Sequence, residues 1–208
     1  MPVLLTPMLK IKLAALAMIL LVSVGCERDP RVAVCPELNP GDLVVTEIRG
    51  DQSGTDDTLG EWIELYNASP AAIDLTGVAV TVTRLDGGAL GRLVFRRAVT
   101  VGAGEYVVLG RFFDVAGVSL PSYINYGYAA DFDKSIYDTG AVEIFSCGTE
   151  TDEIVYRNLP STGTYALDGA LDPPTAEAND DLEAWCNDEL TGDPDATGTP
   201  GERNPVCP

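Results

Sequence analysis

The side chains whose types and spacing could do chemistry are acidic. Asp193-Pro194-Asp195-Ala196-Thr197-Gly198 supplies oxygens at alternate positions and then a glycine, as at the opening of a calcium loop. The twelfth position of such a loop is Asn204, where a bidentate Glu is needed, and Pro194 and Pro200 stiffen the backbone. A solvated turn running into Thr199-Pro200-Gly201 is therefore expected, with calcium on Asp193, Asp195 and Thr197 as the alternative. Asp131, Asp133 and Asp138 form a second acidic set, and Asp51, Asp56 and Asp57 a third. Both sit in loops, where solvated Asp is ordinary, and neither shows the fixed separation that a pair of hydrolytic carboxylates needs. The chain contains no histidine, which removes histidine bases, serine–histidine pairs and histidine-ligated zinc. No cofactor and no catalytic residue are predicted.

Basic side chains are few and unevenly placed. Arg84, Arg92, Arg96, Arg97 and Arg111 fall within one run of predicted strands. Ion pairs with the chain's own acids are the expectation, and a cationic strip for an anionic glycan or for another copy's acidic tail is the alternative.

The elements that carry these residues are strands. The 208 residues are 46% hydrophobic, with 21 Gly and 14 Pro, which suits one β-rich domain with added segments. Alternation and turn chemistry predict strands over 43–49, 62–67, 77–84, 92–96, 106–111, 141–146 and 153–157. In Glu61-Trp62-Ile63-Glu64-Leu65-Tyr66-Asn67, Ile63 and Leu65 share one face and enter the core. Trp62, Glu64 and Tyr66 take the other face, which must then be half covered. The stretch from Val115 to Tyr137 reads as a long decorated loop. Short strands joined by glycine-rich turns predict an all-β antiparallel sandwich. From Asp168 to Pro208 there are 11 acidic residues and one basic residue, Arg203. This is an irregular acidic C-terminal extension, expected to lie over the sandwich and to be held by Trp185.

The N-terminus gives a cellular address. Lys10 and Lys12 precede the apolar run 13–24, a signal-peptide pattern too short to span a bilayer. Ser23-Val24-Gly25-Cys26 resembles a bacterial lipobox, which makes Cys26 the lipidated first residue of the mature chain; an ordinary signal peptide cut nearby is the alternative. Residues 1–25 are then the signal peptide and 26–41 a tether, followed by the sandwich over 42–167 and the extension over 168–208. Glu27 lacks the Asp that usually retains lipoproteins in the inner membrane, so an outer membrane is favoured. Loss of two lysines leaves 11 basic against 32 acidic residues, a mature formal charge of −21. Such a surface repels nucleic acid and anionic headgroups, so lipid, not charge, would hold the chain to its membrane.

Cys35, Cys147, Cys186 and Cys207 are an even set in an exported chain, and two disulfides are expected. Of the three pairings, Cys35 with Cys207 and Cys147 with Cys186 is preferred, because the first would staple the two ends of the domain.

Four motifs in order resemble the bacterial lamin-tail domain: Glu61 to Asn67, Asp74-Leu75-Thr76-Gly77, Gly104 to Leu109, and Thr199-Pro200-Gly201 with Asn204. Glu61, Trp62, Ile63, Leu65, Asn67, Gly77, Pro200, Gly201 and Asn204 carry the resemblance. It implies an immunoglobulin-like sandwich and a binding or structural role, with an envelope protein or glycan as partner. It supplies no catalytic residues to carry over.

Overall fold

The computed structural model describes residues 34–52, 60–86, 90–132, 134–189 and 198–208. Cys26 and the proposed calcium ligands Asp193, Asp195 and Thr197 lie outside the described residues, as do Asp56, Asp57 and Asp133.

Twelve strands form among the described residues. They are β1 (Leu43–Arg49), β2 (Trp62–Asn67), β3 (Ile73–Asp74), β4 (Ala79–Arg84), β5 (Leu90–Val94), β6 (Thr100–Val101), β7 (Tyr106–Gly110), β8 (Tyr126–Gly127), β9 (Thr139–Ser146), β10 (Thr149–Arg157), β11 (Thr164–Leu167) and β12 (Trp185–Asp188). One sheet runs β12-β11-β1-β2-β7-β8, the second β10-β9-β4-β5, and β3 pairs with β6. Every pairing is antiparallel except the two-residue contact of β7 with β8. The two large sheets enclose one core, in which Val45, Ile48, Ile63, Leu65 and Leu109 of the first meet Val80, Val82, Val142, Ile144 and Ile154 of the second.

The alternation read from the sequence holds in β2, but its second face is closed completely. Trp62 is fully buried with Val108 and Ile124 beneath Phe112, Leu120 and Tyr123, so the loop after β7 builds a small core of its own. That loop also contributes β8, two residues in a stretch expected to be irregular. Its Tyr126 hydroxyl accepts from the Arg96 amide and donates to the Val94 carbonyl, which occupies backbone groups at the end of the edge strand β5.

The C-terminal extension is less irregular than expected. It supplies β12, paired along its length with β11, and a one-turn helix α1 (Ala176–Asn179). Trp185 is buried and stacks on Tyr165, with ring centroids 5.0 Å apart.

The disulfide pairing differs from the preferred one. Cys35 joins Cys147, and Cys186 joins Cys207. The incoming chain is pinned to the turn between β9 and β10, beside Gly77, and not to the C-terminus. A Cβ on Gly77 would fall 1.8 Å from the Val34 carbonyl oxygen, and its φ is +84°. The glycine of the Asp74-Leu75-Thr76-Gly77 motif is thus required for the crossing of the N-terminal strap. Cys207 closes a short loop onto β12, because the extension folds back on its own strand.

The two bridges close loops of different length, with sequence separations of 112 and 21. Loop-closure entropy makes the longer bridge worth about 1.5 kcal/mol more than the shorter. Replacing Cys35 and Cys147 by Ser should therefore lower the urea midpoint more than replacing Cys186 and Cys207. Equal or reversed losses would contradict this.

Candidate functional site

The most unusual chemistry in the molecule lies on the face of the six-stranded sheet turned away from the main core. Glu47 of β1 and Glu64 of β2 are directly opposite in the ladder and both are fully buried. A register shift between Val45 and Glu47 makes Thr46 a bulge, which puts Thr46 and Glu47 on this face together. No lysine or arginine among the described residues pairs with either acid.

Hydrogen-bond donors take the place of a cation. The Thr46 hydroxyl donates to Glu64 Oε1 at 2.8 Å, and the Gly201 amide to Glu64 Oε2 at 2.6 Å. Glu47 Oε1 accepts from the Thr164 hydroxyl and, at 3.2 Å, from the Thr199 amide, while the Trp62 indole N–H reaches Oε2 at 3.5 Å. Two of these donors belong to the Thr199-Pro200-Gly201 turn. Asn204 completes its attachment, its amide donating to the carbonyls of Thr46 and Leu167 at 2.8 and 3.0 Å. The motif residues Pro200, Gly201 and Asn204 are therefore brought onto the same spot as the Glu61–Asn67 strand.

Burial is the main force on both acids. It raises the Glu47 carboxyl to about 7, and it raises Glu64 well above the ordinary range, with repulsion from Glu47 second. Two buried carboxylates this close are stabilised when they retain a proton. The turn seals them from solvent, so the pair has the chemistry of a latch and not of an open hydrolytic dyad.

A third buried acid extends the pattern. Asp152 of β10 accepts from the Val45 amide at 2.8 Å and from the Asn179 side chain at 2.7 Å. The Trp185 indole N–H donates to the Asn179 carbonyl at 2.8 Å, so α1 and β12 are fastened through this acid to the bulge in β1. Burial raises Asp152 to about 7.

The other motif residues are structural. Glu61 receives Arg111 at 2.7 Å and the Ile136 amide at 2.6 Å, which fixes the tyrosine-rich segment. Asn67 donates to the Ala71, Val101 and Gly102 carbonyls and accepts from Ser69. Of the five arginines in the strand run, four pair with acids: Arg84 with Asp86, Arg96 with Asp131, Arg97 with Asp114 and Arg111 with Glu61. Arg92 has no ion pair among the described residues. Asp131 is thereby a partner of Arg96, and no group of three acidic or cysteine side chains among the described residues is placed to hold a metal.

Arg92 stands on an open surface, the outer face of the four-stranded sheet. A groove of about 690 Å³ lies there, lined by Gly77, Ala79, Thr81, Arg92, Glu143 and Phe145, with the Cys35–Cys147 bridge at one end. The size suits a ligand or a peptide segment. Sequence reasoning passed over Glu47, Glu64, Glu143 and Phe145. Glu64 carried a partial signal, since it shares with Trp62 and Tyr66 a face that the two aromatic rings require to be half covered.

The buried acids make stability depend on pH. Each binds its proton more tightly folded than unfolded, so their contribution is full below about pH 4 and is lost as pH rises through about 7. The urea midpoint should be higher at pH 5 than at pH 8. Glu64→Gln, which imitates the protonated acid, should reduce that difference and raise the midpoint at pH 8. A wild-type midpoint that rises from pH 5 to pH 8 would contradict the assignment.

The comparisons agree with this architecture. The Lamin Tail Domain family matches residues 36–157, more than half of the chain. No curated protein matches the chain. The match takes in the Glu61–Asn67 strand, the Gly77 crossing and the β9–β10 hairpin, within a non-enzymatic family of immunoglobulin-like fold. The chain belongs to the lamin tail domain family.

Proposed function

We propose that the protein is an exported, non-catalytic module of a bacterial cell envelope, lipid-anchored through Cys26, which binds a partner on the open face of its four-stranded sheet. The observation that carries this reading is the Cys35–Cys147 bridge. It ties the chain that leads from Cys26 to the end of the groove that Cys35 and Cys147 themselves line. Cys35 stands nine positions after Cys26, a span of at most about 30 Å, so an anchored domain would hold this groove close to its membrane.

Two disulfides, and no described helix long and apolar enough to cross a membrane, are compatible with export. The partner is an envelope protein or glycan, and the residue after Cys26 favours an outer membrane. The acid pair favours no hydrolase, because the Thr199–Asn204 turn covers it. Calcium-dependent recognition remains the second reading, through the acidic loop of Asp193 and Asp195.

Cys26→Ala tests the anchor. The variant should leave the membrane fraction and lose labelling by a palmitate analogue. Retention in the membrane with undiminished label would overturn the lipoprotein reading.

A further inference from the structure

We infer that the groove on the four-stranded sheet takes a basic polypeptide segment, seated with a lysine or arginine side chain over Glu143 and Glu153 and an apolar side chain against Phe145. The inference rests on the proposed binding role of that face and names the class of partner.

The register sets out the charges. Arg92 of β5, Thr81 of β4, Glu143 of β9 and Glu153 of β10 form one row across the sheet. Ala79, Phe145 and Glu150 stand in the next row. Glu143 and Glu153 are therefore directly opposite, with Glu150 close by, and like charges in that relation destabilise a sheet. The Glu143 carboxyl is raised by burial first and then by Glu153 and Glu150. Arg92 does not relieve this repulsion. It sits two strands away, about 10 Å across Thr81, and makes no ion pair among the described residues.

This frustration is local. Elsewhere in the same run of strands Arg84, Arg96, Arg97 and Arg111 have each met an acid. Here three glutamates are left without a cation among the described residues, beside a half-buried aromatic ring. Between the walls, Gly77, Ala79 and Thr81 give a floor of small side chains along β4, which suits an extended chain. A cationic side chain would meet both the carboxylates and the face of Phe145, while a polyanionic glycan would meet three negative charges. Arg92 marks the opposite wall and disfavours a uniformly basic polymer there. The fit is to a mixed basic and apolar segment.

The test uses the full chain in mild detergent and three fluorescent probes: an alternating Lys-Val octapeptide, an alternating Glu-Val octapeptide and an oligogalacturonate. Because the whole protein is acidic, each groove variant is compared with Glu177→Gln/Glu183→Gln, a charge-matched change on the exposed part of the extension. The Lys-Val peptide should bind. Glu143→Gln/Glu153→Gln should weaken it about tenfold more than the control pair does, and Arg92→Gln should leave it equal or tighter. The groove double variant should also melt higher than wild type, which shows that it folds and that the repulsion was real.

Equal weakening by the groove and control pairs would overturn the inference. If instead the uronate or the Glu-Val probe binds and Arg92→Gln or Phe145→Ala abolishes it, the face is a binding site and only the basic partner is wrong. If no probe responds to any groove variant, both the partner and the proposed binding face fall.

Discussion

Two glutamates facing each other without a cation, inside a sheet, are the constraint on which the first half of this structure turns. A carboxyl with no solvent and no counter-charge must be given donors, and β1 and β2 alone provide only the Thr46 hydroxyl and the Trp62 indole. The remaining donors come from Thr164 of β11 and from the Thr199–Gly201 turn. The extension is therefore part of the domain in a physical sense, although the family match ends at residue 157. Without the chain beyond residue 157, β1 would lose its neighbour β11, and Glu47 and Glu64 would lose the donors from Thr164, Thr199 and Gly201. Asp152 repeats the device one layer away, with Asn179 as the donor from the extension.

The two outer faces of the sandwich are treated in opposite ways. On the six-stranded sheet even acids are buried and supplied with donors. On the four-stranded sheet, acids are left opposite one another, with Arg92 unpaired among the described residues, and the surface stays open. A protein this acidic could have used Arg92 to offset Glu143, but Thr81 holds them apart. The Cys35–Cys147 bridge brings the N-terminal strap to the open face and not to the sealed one.

Much of the fold was legible because its strands alternate. Ile63 and Leu65 announced the core, and the predicted strand over 77–84 supplies Val80 and Val82 to it from the second sheet. The coverage of Trp62 and Tyr66 was visible only in part, since nothing local tells that Ile124 and Leu120, about sixty residues away, return to close that face. The disulfide pairing differs from the expected one for a similar reason: chain ends generally lie close together, but here the N-terminal strap crosses Gly77 and meets the β9–β10 turn. β12 was missed because Trp185-Cys186-Asn187-Asp188 has weak strand character, and pairing with β11 imposes its conformation. At the candidate sites, the glutamates looked like solvated strand residues, and only the register set Glu47 against Glu64 and Glu143 against Glu153.

The central claim is that the buried glutamates hold the C-terminal turn in place through backbone amides. Hydrogen exchange at the Gly201 amide reads that bond directly, because the amide donates to Glu64 Oε2 at 2.6 Å. At pH 6 this amide should exchange well below the free-peptide rate in wild type and in Glu64→Gln, and at least tenfold faster in Glu64→Ala. Exchange at the free-peptide rate in wild type, or protection indifferent to Glu64→Ala, would contradict the account.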